Sequence, residues 1–235
     1  KHVCVYPESK SPISLAFLNE KNDAEYEFYK DYPNLRLDVE LPEVNADDIV
    51  MFGSFYAVSP LLRDKMKELL DKARDKGAII YYDVNFRSTH KNEAIKLYAT
   101  ILENFEYASI VRGSGEDFDN MFGLTDPDAV YNHKVGFYCP RFICTNGGDE
   151  ICLRTSAISK NYAVPQLETV STIGAGDNFN AGVIYGILKN DIRRSDLDKL
   201  SEADWDKIIA SGIAFGGNVC TSLDNYISKE FAASL

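Results

Sequence analysis

The chain predicts an α/β fold with a mostly parallel central sheet, on three observations. From residue 48 onward, short apolar runs alternate with stretches of helical period. Those runs have strand length and end in glycine or polar loops. In the C-terminal third, a turn of small residues opens directly onto an apolar-periodic helix.

The elements follow in chain order. "SLAFLN" (Ser14 to Asn19) and "AEYEFYK" (Ala24 to Lys30) are strand-type runs, and the polar stretch 20–23 between them reads as a hairpin turn. Residues 1–40 are therefore expected to form a β-hairpin region and 41–235 the α/β core. "DIVMFG" (Asp48 to Gly53) is a buried strand. Ser59-Pro60 then predicts a helix start, by cap and first-turn proline. Leu62, Met66, Leu69, Leu70 and Ala73 continue it to a stop at Gly77. "AIIYYDV" (Ala78 to Val84) is the next strand, followed by a helix with Ile95, Tyr98, Ile101, Leu102 and Phe105 on its apolar side. "ASIV" (Ala108 to Val111) and "RFICT" (Arg141 to Thr145) are further strands around a helical stretch. "EICLRT" and "SKNYAV" read as a strand pair. In the last quarter, Ser201 to Asp204 fits a capping box, ahead of a helix marked by Ile208, Ile209, Ile213 and Phe215.

Composition bounds the function. The 235 residues are 45% hydrophobic and 26% charged, which suits a packed core. A formal net charge of −11 disfavours general nucleic-acid or anionic-membrane binding, but not a small anion held at a local positive site. No apolar run approaches the roughly 20 residues of a membrane span, and the first residues show no secretory pattern. Five cysteines without a C-x-x-C pair read as reduced thiols, and a cytoplasmic location is expected. The histidines, His2, His90 and His133, form no metal motif.

Ligands of open α/β sheets bind beyond the carboxyl ends of the strands. The loops there are "GSF" at Gly53, "DVNFR" at Asp83 to Arg87, "RGSGED" at Arg112 to Asp117, "TNGGDE" at Thr145 to Glu150, and "TVSTIGAGDNFNAG" at Thr169 to Gly182. In the last, Gly174, Ala175 and Gly176 let backbone amides approach a ligand. Phe179, Gly182, Val183, Gly186 and Ile187 recur on one helix face. The turn thus presents N–H groups at a helix N-terminus, an anion site. Asp177 in the first turn suits the helix dipole. It equally suits a base that strips a proton from a hydroxyl attacking a phosphoryl group. The sequence has no G-x-x-x-x-G-K-[ST], no complete G-x-G-x-x-G and no G-x-S-x-G.

"TVSTIGAGDNFNAG" resembles the C-terminal signature of the phosphofructokinase-B (ribokinase-like) carbohydrate kinases, D-T-x-G-A-G-D-x-F-x-A-G. "YYDVNFR" resembles the D-x-N-x-R strand end of the fructokinase and 2-keto-3-deoxygluconate kinase branch. "IVRGSGEDFDNMFG" is similar to the stretch with the N-x-x-E element, "FICTNGGDEICL" to the V-T-x-G-x-x-G strand and turn, and "AFGGNVCTS" to the late adenine-pocket helix. "SPISLAFLNEKNDAEYEFYKDYP" resembles the substrate-side hairpin region. The resemblance implies a three-layer αβα sandwich with a remnant of a small β lid. It implies an ATP- and Mg2+-dependent sugar kinase, with fructose favoured and 2-keto-3-deoxygluconate or a nucleoside as alternatives. It makes Asp177 the base and the amides of Gly174, Ala175 and Gly176 the anion hole. Asn85 and Arg87 would meet substrate or phosphate. Thr145, Gly147, Gly148 and Asn218 would hold the nucleotide, and Asp117 and Glu116 would act on magnesium through water. A homodimer through the hairpin follows family habit.

The chain departs from the family pattern in places. Ser171 replaces the leading Asp of the motif, which leaves a monovalent cation open, and Ser114 replaces the Asn of N-x-x-E. The resemblance covers the later three quarters of such a kinase. The first strand, the N-terminal substrate Asp and the G-G-x-x-x-N element have no counterpart. The resulting expectation is weak or no kinase activity for this chain alone. The competing reading is a kinase-fold remnant that binds nucleotide or a partner.

Overall fold

A computed structural model describes the chain except for residues 1, 2, 4, 6, 9, 19–23 and 30–38. The expected turn at 20–23 lies outside the described residues. Strands β1 (Ile13–Leu18) and β2 (Ala24–Tyr29) pair antiparallel, Ile13 opposite Tyr29 and Leu15 opposite Glu27.

The other strands form one sheet. They are β3 (Ile49–Gly53), β4 (Ile79–Asp83), β5 (Ile110–Ser114), β6 (Phe142–Asn146), β7 (Glu150–Arg154) and β8 (Ser159–Ala163), neighbours in that order. Strands β3 to β6 run parallel, whereas β6, β7 and β8 run antiparallel to one another. The parallel part is joined by helices α1 (Arg63–Lys76), α2 (Ala94–Tyr107), α3 (Gly115–Phe122) and α4 (Pro127–Val130). Every residue of β4 is buried, as a central parallel strand requires. Phe105, Phe118 and Phe142 are fully buried and anchor one core with Ile80, Tyr82 and Val111. Full burial of such a side chain stabilises by about 1.5–3 kcal/mol.

The chain divides into two compact units. One comprises Lys1–Val3, Arg36–Val164 and Arg193–Ser195. The other contains α5 (Ala175–Lys189), α6 (Glu202–Cys220), α7 (Lys229–Ala233) and the β1–β2 hairpin. Helices α5 and α6 meet through glycines: a Cβ on Gly182 would lie 2.4 Å from the Ser211 carbonyl oxygen, and one on Gly212 2.8 Å from the Phe179 ring. The face expected on α5 (Phe179, Gly182, Val183, Gly186, Ile187) is buried throughout. Ser201 makes the expected capping box with Asp204.

Three local expectations are corrected. Helix α1 begins at Arg63, not at Pro60. Residues 59–62 form a turn in which Leu62 N–H donates to the Ser59 carbonyl, and proline fits the second position of such a turn as well as a first helical turn. On α2, Ile95 is 90% exposed, and Leu97 takes the core position with Ile101 and Phe105. Finally, Arg112 to Asp117 is not a loop. Arg112–Ser114 end β5, and α3 follows at once. The polar Arg112 is tolerated inside a strand because its charge is paired there.

Candidate active site

The predicted site residues fall in both units. In the first, they cluster at the carboxyl ends of β4, β5 and β6. Asp83 and Arg112 stand opposite each other in register and are both buried. Arg112 Nη1 donates to Asp83 Oδ1 at 2.9 Å, and Nη2 donates to Thr145 Oγ1 at 2.8 Å. One guanidinium thus joins the ends of neighbouring strands. Burial works against its charge, but Asp83 outweighs that and raises its pKa above the usual arginine value. The sequence reading assigned no role to Asp83 or Arg112. The available signal was a charged residue at the inner end of each of two apolar runs, "YYDV" and "ASIVRG".

The loop after β4 is held from below. Phe86 is buried, and its carbonyl accepts from Asn120 Nδ2 of α3 at 3.2 Å. Asn85 and Arg87 flank this anchor. Asn85 has φ 42°, and Arg87 is exposed where the chain enters a 3₁₀ turn, Ser88–Glu93. The loop after β3 is unusual too. Ser54 has φ 59° and ψ −173°, a backbone region that non-glycine residues avoid. Its N–H donates to the Asp83 carbonyl at 3.2 Å, and a Cβ on Gly53 would sit 2.0 Å from that same oxygen. Only glycine allows β3 to approach β4 so closely.

At the start of α3, two adjacent acids have different environments. Asp117 is buried, and its Oδ2 accepts from the Ser114 N–H at 2.7 Å and the Ser114 hydroxyl at 2.8 Å, completing a capping box. Glu116 is exposed. Among the described residues, no group of His, Cys, Asp and Glu is arranged to hold a metal directly. Asp117 is thus committed to the cap, while Glu116 is the acid open to solvent. Between β6 and β7, Gly147 has φ 58°, and a Cβ on Gly147 or Gly148 would meet nothing within 4 Å. Open space therefore lies on the Cβ side of both glycines. Gly115 packs against the turn, since a Cβ there would lie 2.7 Å from Asn146 Oδ1.

In the second unit, Gly174 caps α5 with φ 80°. A Cβ on it would press on the Asn225 backbone at 3.0 Å, so both conformation and space require glycine. Asn178 Nδ2 donates to the carbonyls of Gly174 (2.9 Å) and Asn225 (3.0 Å), pinning the turn. The sequence reading passed over Asn178 and Asn225. Of the amides expected to face an anion, that of Ala175 donates to the Thr172 carbonyl at 3.1 Å. Those of Gly174 and Gly176 make no hydrogen bond among the described residues. They sit at the amino end of a 15-residue helix, a donor set that suits a phosphate group. Asp177, in the first turn, is exposed. Ser171 is buried and its hydroxyl accepts from Ile173 N–H. Asn218 Oδ1 accepts from Ser228 N–H at 2.9 Å, which ties α6 to the cap of α7.

Among the described residues, no helix is long and apolar enough to cross a membrane. The sequence profile of the pfkB family of carbohydrate kinases matches residues 2–230. The chain is 24% identical over 205 residues to fructokinase-1 of Zea mays, covering 83% of this chain and 63% of that protein. It is 22% identical over 185 residues to aminoimidazole riboside kinase of Salmonella typhimurium, covering 78% and 54%. The crystal structure of fructokinase from Vibrio cholerae O395 in apo form aligns with a TM-score of 0.72 at 17% identity, over 92% of this chain and 72% of that one. That of Salmonella enterica aminoimidazole riboside kinase, complexed with aminoimidazole riboside and an ATP analogue, aligns at 0.68 and 21%, over 82% and 64%. The chain spans under two thirds of the length of these curated relatives. The structural likenesses show the fold, a ribokinase-like α/β sandwich with a mostly parallel sheet and a smaller β element.

Proposed function

Because the chain belongs to the pfkB family of carbohydrate kinases, we propose that it transfers the γ-phosphoryl group of ATP to a sugar hydroxyl, with fructose the favoured acceptor. The observation that carries this reading is the start of α5, where Asp177 stands directly behind a turn whose Gly174 and Gly176 amides make no hydrogen bond among the described residues. In this reading Asp177 takes the proton of the acceptor hydroxyl. The hydroxyl oxygen attacks the γ-phosphorus, the bond to the bridging oxygen breaks, and ADP leaves. The two amides bind the negative oxygens of the group in transit; removing one such donor typically costs about 10²–10³ in rate. Magnesium would supply further charge neutralisation on the phosphates. Asn85 and Arg87 orient acceptor or phosphate, and the turn at Gly147 and Gly148 takes the nucleotide. Thr145 acts from beneath, because its hydroxyl is bound to Arg112.

The relatives include a fructokinase, an aminoimidazole riboside kinase and a 5-dehydro-2-deoxygluconokinase. Keto-sugar acids such as 2-keto-3-deoxygluconate, and nucleosides, are therefore the alternative acceptors. We place the enzyme in the cytoplasm, on the support of its free thiols. Burial pushes those of Cys139 and Cys144 up to about 11 and about 12. A homodimer through the hairpin is supported by Ile13, Leu15, Phe17 and Tyr29, which share one exposed strand face.

An ADP-release assay over fructose, 2-keto-3-deoxygluconate and adenosine tests the reading. Sugar-dependent turnover that falls about 10²–10⁴-fold in Asp177→Asn, with ATP binding retained, is the expected result. ATP binding with no acceptor-dependent turnover would instead support the nucleotide-binding remnant.

A further inference from the structure

Two non-glycine residues with positive φ stand at the carboxyl ends of adjacent parallel strands, and the Ser54 conformation is the strained one. Ser54 (φ 59°) follows β3 and Asn85 (φ 42°) follows β4. A residue held in such a conformation costs of order 1–3 kcal/mol and persists only where its surroundings over-determine it. Here they do. Ser54 N–H is bound to the Asp83 carbonyl, and Gly53 presses against the same group. The Asp83 side chain is locked by Arg112 at 2.9 Å. The next residue, Phe55, stacks on His90 with ring centroids 3.7 Å apart and planes 13° off parallel, which couples the β3 loop to the β4 loop. Asn120 fastens the latter at Phe86.

This bracing holds two polar side chains that the fold itself does not use. Neither the Ser54 hydroxyl nor the Asn85 carboxamide makes a hydrogen bond within the protein among the described residues, and both residues are half-buried. Ser54 does not even cap the 3₁₀ turn that it precedes, Phe55–Val58. A serine that neither caps nor pairs, yet forces its backbone where glycine would rest without strain, is better explained by a ligand than by the fold.

We propose that Ser54 is a specificity-determining residue for the acceptor. Its hydroxyl, beside the carboxamide of Asn85, hydrogen-bonds a hydroxyl of a polyhydroxylated substrate. A hydroxyl and a carboxamide both donate and accept, which matches the vicinal hydroxyls of a sugar rather than a phosphate or an apolar group. This assignment rests on the sugar-kinase reading and names a residue for which neither sequence motif nor resemblance gave a role.

Two variants separate ligand contact from fold. Ser54→Ala keeps the Cβ and the strain but removes the hydroxyl. Ser54→Gly removes both. The expected result is a KM for D-fructose raised about 3- to 10-fold in each, the loss of one neutral hydrogen bond, with the KM for ATP unchanged. Ser54→Gly should also melt about 2–4 °C higher than the unmodified chain as the strain is relieved. Fructose binding by calorimetry in the absence of ATP gives the same comparison without turnover. Variants that bind and phosphorylate fructose like the unmodified chain would overturn the Ser54 assignment while leaving the kinase reading intact. If the unmodified chain neither binds nor phosphorylates fructose, 2-keto-3-deoxygluconate or adenosine, the kinase reading itself fails, and the Ser54 contact falls with it.

Discussion

Replacing Arg112 by Met tests how the strand ends are held. The side chains of Arg112 and Asp83 keep only 9% and 7% of their surface exposed, so the Asp83 carboxylate would be left buried with no cation beside it. Breaking one side of a buried pair costs about 3–5 kcal/mol. For a chain of this size that corresponds to a melting temperature roughly 6–20 °C lower. Asp83→Asn should cost a similar amount from the other side, because it strands the guanidinium. The double variant, Asp83→Asn with Arg112→Met, removes both charges and should lose clearly less than the sum of the singles. Urea unfolding measures all of these, read as a shift in midpoint at constant slope. Single variants within about 0.5 kcal/mol of the unmodified chain, or a double variant that is simply additive, would show that this pair does not hold the ends of β4 and β5 together.

Two further perturbations follow from the packing. Gly182→Ala places a methyl 2.4 Å from the Ser211 carbonyl, against backbone that cannot rotate away. A net loss of about 1–3 kcal/mol by chemical denaturation is expected despite alanine's better helix propensity; a stabilised variant would mean that the helices are not in this close contact. Glu103 receives Lys67 at 2.6 Å and is also paired with Arg63, so these partners, the Lys67 hydrogen bond foremost, hold its pKa below the ordinary 4.5. A lowered folded pKa adds stability that is fully present above the unfolded value and lost as pH falls through the folded one. The unmodified chain should therefore outlast Glu103→Gln in thermal melts near neutral pH, and the gap should close in acid below about 4.5. A gap that widens on acidification would contradict the pairing between α1 and α2.

Much of this architecture is written locally. The small residues of "TIGAGD" and the spacing of Phe179, Gly182, Val183, Gly186 and Ile187 give the turn and the buried face of α5, because both depend on neighbours along the chain. Ser201 and Asp204 form their capping box for the same reason. Ser59-Pro60 misleads because the same pair suits a turn and a helix start, and only the bond from Leu62 to Ser59 decides. The Asp83–Arg112–Thr145 bridge was not legible, since it spans 29 and 33 residues and exists only once the sheet register brings those positions together. The strained Ser54 is hidden more deeply still. Nothing about a serine announces a positive φ, which is imposed by the close approach of β3 and β4 at Gly53.

The glycine seam between α5 and α6 carries a mechanical consequence. Where backbone rests directly on backbone, there is no rotamer to flip and no side chain to yield, so the two shafts cannot slip past one another a fraction of an ångström at a time. Any displacement of Asp177 must carry α6 with it as a single piece. Within that helix pair, Asp177 is mounted as on an anvil.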